Sequence, residues 1–411
     1  MMDSTTRRQF GRVALGVATA GLLLLGACSS DSDSSTSTST TTTAAEESGA
    51  YDQALATEVV EHYADGVYAT YDASLTSATA MQTAIEAFVA SPTDASLEAA
   101  KQAWLAARPY YGLTEAFRFY GGPIDDEDDG PEGQINAWPL DEAYIDYVEG
   151  DAEAGIINDA AGYPEITTEV LVGANEEGGE TNISTGWHAI EFLLWGQDLS
   201  ATGPGARPVT DYTTAPNAER RADYLTVVTD LLIDDLTTVT DAWDPDGSDN
   251  YRTEFLALPT DESLTNIITG IGELSRGELA GERMTVAYEE RDQENEHSCF
   301  SDNTTNDLVA NQQGIVNVWS GEYPGASDGP GLVELVDSVD SILAASTTGD
   351  MNAALTQLKA VPAPFDQNLT TDVADTAPGR VAILTSTELL STQADDLVDA
   401  ADALGLAIEI S

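Results

Sequence analysis

The sequence predicts an all-α protein built from helical bundles. Apolar residues at Leu225, Val228, Leu232, Leu236, Val239 and Trp243 step by three and four, as one face of a helix requires. Leu390, Ala394, Leu397, Ala401 and Leu404 repeat that stepping near the C-terminus. Alternating apolar and polar residues, the mark of a half-buried strand, are nearly absent.

The first 27 residues read as an export signal and not as part of the fold. Arg7 and Arg8 precede an apolar run from Val13 to Ala27, too short to span a bilayer as a mature helix. Twin arginines followed by "LLGAC" predict a Tat-type lipoprotein signal, with Cys28 as the lipidated new N-terminus. Residues 28–49, almost all Ser, Thr, Asp and Glu beyond the cysteine, cannot bury a core and read as a disordered tether. The expected location is therefore the cell envelope, at the outer face of a membrane or in the periplasm, with membrane contact only through the lipid.

The chain of 411 residues then has room for two domains. A stretch rich in Gly, Pro and Thr, Ser200 to Glu219, predicts the boundary. One bundle is expected over 50–200 and a second over 215–411. Asp94 to Phe119 reads as a long helix capped by Thr93 or Asp94 and kinked at Pro109. Leu264 to Arg291 reads as another, whose Gly277 and Gly281 leave room for a neighbouring helix. The connection "YGGPIDDEDDGPEGQINAWP" is long for a bundle, and loops of that length are more often functional than idle.

Net charge is −57, from 72 acidic residues against 15 Lys plus Arg. Loss of the signal removes three arginines and one aspartate and makes the chain more acidic still. Such a surface repels nucleic acid and anionic lipid, and fits a halophilic habitat in which salt screens self-repulsion. Cys299 is the one cysteine beyond Cys28, so neither an internal disulfide nor a cysteine metal cluster is available. The chain also lacks HExxH, a P-loop and a GxSxG elbow.

Chemistry concentrates in "GWHAIEFLLWGQD", Gly186 to Asp198. On a helix, with Trp187 at zero, Glu191 falls near ~40° and His188 near ~100°, on one face bordered by aromatics. An ionised carboxylate there costs several kcal/mol unless paired or metal-bound. The pair is either a metal or ligand site with His188 and Glu191 as donors, or a hydrogen bond in which each satisfies the other. "RDQENEHSCFSDN" carries the reverse pattern, Glu294-x-x-His297, with Glu296 beside it. Carboxylate and imidazole at i, i+3 is how bundle proteins project metal ligands inward. A helix-terminal His among exposed acids is the alternative. "AWLAARPYYGLTEAFRFY" sets Arg108, Glu115 and Arg118 among aromatics, either lining a ligand cleft with Trp187 or pairing inside a core. "NAWPLDEAYIDYV" adds Asp141, with the same two readings. His62 reads as an ordinary helix residue.

These segments, with "GERMTVAY", occur in the order found in the imelysin family, also called iron-regulated protein A-like or peptidase M75-like, and resemble it from about Ala99 to Asn306. The resemblance puts the family's GxHxxE signature on Gly186, His188 and Glu191. It implies two all-helical bundle domains related by a diverged duplication, an extracytoplasmic location and a link to iron uptake. On that basis the expected metal set is His188, Glu191, Glu115 and Asp141, with Glu294, Glu296 and His297 as a second cluster that completes it or stands apart. The expected cargo is iron, another divalent metal or a small iron-bearing ligand, handed to an envelope transport partner. The rival readings are a metallopeptidase using the HxxE pair and a non-catalytic interaction protein.

Overall fold

The computed structural model describes residues 51–200 and 202–411. The expected signal, Cys28 and the tether lie outside the described residues. Among those described the fold is all-α; the sole β feature is an isolated bridge between Val148 and Asp151.

The first helix, α1 (Gln53–Ala90), is about 57 Å long at 1.5 Å per residue. The Asp52 carboxylate caps it, accepting from the Ala54 and Leu55 N–H groups. Its buried stripe of Val59, Tyr63, Val67 and Tyr71, then Ala78, Met81, Ile85 and Phe88, has helical spacing. Along that stripe α1 packs on α2 (Asp94–Thr114), α7 (Ala218–Ala242) and α9 (Thr260–Glu273). Thr93 is the N-cap of α2, in a reciprocal box with Ser96. The helix expected as far as Phe119 ends its α-helical part at Thr114. One 3₁₀ turn follows, Glu115–Phe117, and Phe119 takes positive φ. That tightening matters because it aims Glu115 inward.

Beyond α2 the chain runs through three short helices, α3 (Glu132–Ile135), α4 (Glu142–Ile145) and α5 (Thr168–Ala174), to α6 (Gly186–Trp195). After α7 come α8 (Tyr251–Leu256) and α9. The long helix expected over 264–291 is present and runs unbroken from Thr260 to Glu290, but its middle is wound differently. Helix α9 passes into a π-helical stretch, Leu274–Val286, and then into α10 (Ala287–Glu290), with right-handed helical backbone at each junction. Gly277 and Gly281 do not admit a neighbouring helix. A Cβ on Gly277 would meet the Glu273 side chain and the C-terminal Ser411, and on Gly281 only the Arg276 carbonyl. The close approaches fall at Gly270, against the Arg118 carbonyl, and at Gly272, against Ile410. π-helical turns are rare and cluster at functional sites; this one delivers Arg283 to the interior.

The chain closes with α11 (Thr304–Ser320), α12 (Leu332–Asp337), α13 (Ser341–Leu358) and α14 (Pro378–Ala403). A large apolar interior spans both expected halves, and a smaller one, including Met284, Leu308, Phe365 and Ile383, lies under α13 and α14. Helix α11 touches both α2 and α13, and the described residues pack as one compact unit. The stretch expected as a boundary is a loop with a 3₁₀ turn, Val209–Tyr212, whose Asp211 and Tyr212 are buried.

Candidate functional site

Helix α6 is buried along its whole length, which explains its nearly unbroken apolar sequence. It starts where it does because Gly186 has φ +84° and a Cβ there would lie 2.4 Å from the Ile135 carbonyl oxygen. A side chain is excluded twice, by conformation and by space. Docked this way, α6 turns His188 toward Arg108 of α2 and Glu191 toward Ser301 in the loop before α11. Trp187 packs edge-on against Trp104.

His188 Nδ1 lies 3.0 Å from Glu191 Oε2. The other Glu191 oxygen accepts from the Ser301 N–H at 2.9 Å and the Ser301 hydroxyl at 2.6 Å. Burial pushes the Glu191 carboxyl up to about 8, the Ser301 bonds opposing it. Burial, then the Arg108 charge, holds His188 well below the usual imidazole range, so the ring is neutral.

The reverse pair behaves differently. The segment expected to carry Glu294 and His297 on one helical face is a 3₁₀ turn, Gln293–Asn295, followed by extended backbone at Glu296. Glu294 is consequently exposed and does not share a face with His297; Glu296 and His297 are buried. His297 Nδ1 lies 3.0 Å from Asp307 Oδ2 in the first turn of α11, where the helix dipole favours a carboxylate. Asp307 also accepts from Ser298 and Asn303. Burial, then Arg283 and Arg108, pushes the His297 imidazole down.

Each imidazole thus turns Nδ1 to a carboxylate. When Nδ1 carries the proton, which at His188 requires Glu191 to be ionised, Nε2 is left with a free lone pair, the arrangement common around metal-ligating histidines. Both rings meet one group: Arg108 Nη2 lies 3.3 Å from His188 Nε2 and 3.3 Å from His297 Nε2. It is also 3.5 Å from His297 Nδ1, so it sits against the His297 ring, nearly equidistant from its two nitrogens. Arg108 also donates through Nη1 to Asn136 at 2.6 Å and through Nε to Asp307 at 3.4 Å. Its guanidinium lies 5.3–5.9 Å from the ring centres of Tyr111, Trp187 and Trp104.

Glu115 forms the far wall. It accepts from Arg283 Nη2 at 2.8 Å, Arg118 Nη1 at 3.0 Å and Asn136 Nδ2 at 3.1 Å. Burial would raise its pKa, but Arg283, then Arg118, outweigh it and hold the carboxyl at about 2. Buried donors around the cluster that remain without an acceptor include Trp187 Nε1, the Tyr111 hydroxyl and Arg118 Nε.

Of the residues expected from sequence, His188, Glu191, Arg108, Glu115, Arg118, Trp187 and His297 converge here. Asp141 does not: it is exposed and caps α4 through the Ala143 N–H. Its place before a short helix makes it a cap. Nor do His188, Glu191, Glu115 and Asp141 form one ligand set. Among the described residues the one group of three or more carboxylate, imidazole or thiol donors close enough for a single ion is Asp198, Asp302 and Asp366. Glu115 is taken up by arginines. Sequence reasoning missed Asn136, Arg283, Ser301 and Asp307. Arg283 and Ser301 lay within the family-like segments, but nothing local marked them as inward-facing. His62 is structural, with Nε2 2.8 Å from the Gly321 carbonyl.

A model of the imelysin family, the M75 peptidase class, matches residues 67–404. The chain is 27% identical over 355 residues to iron-regulated protein A of Synechococcus elongatus, covering 84% of this chain and 86% of that one. Two solved structures share the fold. A protein described as an iron-regulated protein A precursor, from Parabacteroides distasonis, superposes with TM-score 0.66 at 20% identity, over 85% of this chain and 95% of its own. An imelysin-like protein from Psychrobacter arcticum superposes with TM-score 0.62 at 12% identity, over 88% and 99%.

Proposed function

The chain belongs to the imelysin family, and on that premise we propose that it binds iron carried in a small, anionic, oxygen-rich complex, at the cluster centred on Arg108, His188 and His297. The observation that carries this reading is the position of Arg108 Nη2 between the two imidazole Nε2 atoms. A bare cation held by both nitrogens would compete with that guanidinium for the same lone pairs. Repulsion between like unit charges 4 Å apart is about 4 kcal/mol at an effective dielectric of 20, and roughly doubles for a divalent ion. An anionic complex instead takes the guanidinium as a donor. The acceptor-less Trp187 Nε1 and Arg118 Nε favour the same ligand chemistry.

Uptake supplies the biological setting. The twin arginines and the Cys28 motif support an exported, lipid-anchored protein that passes its cargo to an envelope transport partner. Among the described residues no helix is long and apolar enough to cross a membrane. Peptide hydrolysis is less well supported. Glu191 lies on the Nδ1 side of His188, where it orients the ring, and not beside Nε2, where a general base would serve a bound water.

The test is calorimetric titration with ferric citrate of the full chain and of Arg108→Ala and His188→Ala. Saturable binding that weakens at least tenfold in both variants, with helical circular dichroism retained, supports the reading. Equal affinity in all three proteins overturns it.

A further inference from the structure

A second carboxylate cluster lies outside the site just described. Asp198 follows α6, Asp302 lies in the loop before α11, and Asp366 opens the 3₁₀ turn Asp366–Asn368 beyond α13. Each offers an oxygen, and the three oxygens lie within 4.8 Å of one another. Two oxygens each 2.3–2.6 Å from one ion are at most about 5.2 Å apart, so this spacing suits a single calcium-sized cation.

An acidic cluster alone says little in a chain of this charge. The independent observation is Glu296. It is 2% exposed, and neither of its carboxyl oxygens accepts a hydrogen bond. After burial itself, the charges of Asp366, Asp302 and Asp198 are near enough to push its carboxyl up, which places Glu296 beside the cluster. The nearby Thr304 hydroxyl eases its charge without reaching hydrogen-bonding geometry. Asp366 is likewise buried with both oxygens unpartnered. Among the described residues none of the four forms an ion pair with Lys or Arg, whereas the buried carboxylates Glu115, Asp146 and Asp307 each have an arginine. Buried carboxylates left without donors or counter-charge are costly. Glu296 and Asp366 are the two in that position; Asp198 is buried but accepts from the Ser200 N–H, and Asp302 is half-buried. One divalent ion would supply the counter-charge that all four lack.

We infer that Asp198, Asp302 and Asp366, with Glu296 facing them, form a binding site for a hard divalent cation of the calcium class. Ligands that are all carboxylate oxygen select a hard ion over zinc or copper. Several carboxylates from separate chain segments suit calcium, which takes six to eight oxygens in flexible geometry. Magnesium holds its waters and uses one or two carboxylates. The ion would tie the end of α6 and the turn after α13 to segment 296–302. That segment also carries His297 and Ser301, so the second site braces the first, though it does not depend on what the first binds.

The experiment is calcium titration of the full chain after chelator treatment, in 2 M KCl to screen the acidic surface, with thermal melting in parallel. Expected are one saturable site per chain and a melting-temperature rise of roughly 3–8 °C at a hundredfold excess over Kd. Asp302→Asn and Asp366→Asn should abolish the saturable site. Both variants should melt higher than the calcium-free wild type, because each removes a repelling charge, and gain nothing from calcium. Unsaturable binding, unchanged binding in both variants, or magnesium binding as tight as calcium would overturn the assignment.

Discussion

His188 and His297 meet edge to face with ring centroids 4.8 Å apart, and the same Arg108 nitrogen lies 3.3 Å from Nε2 of each. One histidine comes from α6 and the other from the loop before α11. The relationship therefore exists only in the folded chain, and it makes His297 as informative to mutate as the signature histidine. His297→Ala should weaken ferric citrate binding about as much as His188→Ala. It should also lower stability by about 1–3 kcal/mol, since Asp307 loses a buried partner. Titration calorimetry and urea denaturation read the two effects separately.

The pH dependence of stability has a sign set by Glu191. Burial pushes its carboxyl up to about 8, from an ordinary value of 4.5. The folded state thus holds a proton that the unfolded chain releases. This group's contribution is fully present below about pH 4.5 and is lost as pH rises through 8. Glu191→Gln cannot ionise and should gain melting temperature relative to wild type between pH 5.5 and 8.5. A constant difference across that range would contradict the assignment.

Glu115 works in the opposite direction. Held at about 2 by burial-resisting contacts with Arg283 and Arg118, it contributes stability above its unfolded pKa and loses it only as pH falls through about 2. Glu115→Ala leaves buried guanidinium groups uncompensated and should cost about 3–5 kcal/mol in chemical denaturation at pH 7. Double substitution with Arg283→Met should recover part of that loss.

Gly186→Ala tests the seating of α6. Positive φ costs a side chain about 1–2 kcal/mol, and the contact with the Ile135 carbonyl adds to it. The variant should melt several degrees lower and bind ferric citrate more weakly, because α6 must shift and take His188 and Glu191 with it.

Salt should stabilise the whole chain. With a net charge of −57, raising KCl from ~0.1 to ~2 M shortens the Debye length several-fold and removes self-repulsion. The melting temperature should rise over that range; a flat profile would mean the acidic surface carries no folding penalty.

The helical class, the Thr93 start of α2 and the His188–Glu191 pairing on one face of α6 are legible in the sequence. Those signals are local: spacing along one face, a cap, a polar pair inside an apolar run. Local patterns failed where backbone geometry depended on distant neighbours. The π-helical path that brings Arg283 to Glu115 looks, in sequence, like ordinary helix. Glu294 and His297 look like helical neighbours, yet the chain is extended at Glu296. The tertiary packing settles that Asp141 stays at the surface, that Asp307 and Ser301 hold the two imidazole–carboxylate pairs, and that Asp198, Asp302 and Asp366, far apart in the chain, bring their oxygens together. Which charges meet in the interior is settled by long-range packing, because a buried charge takes whatever partner the fold places beside it.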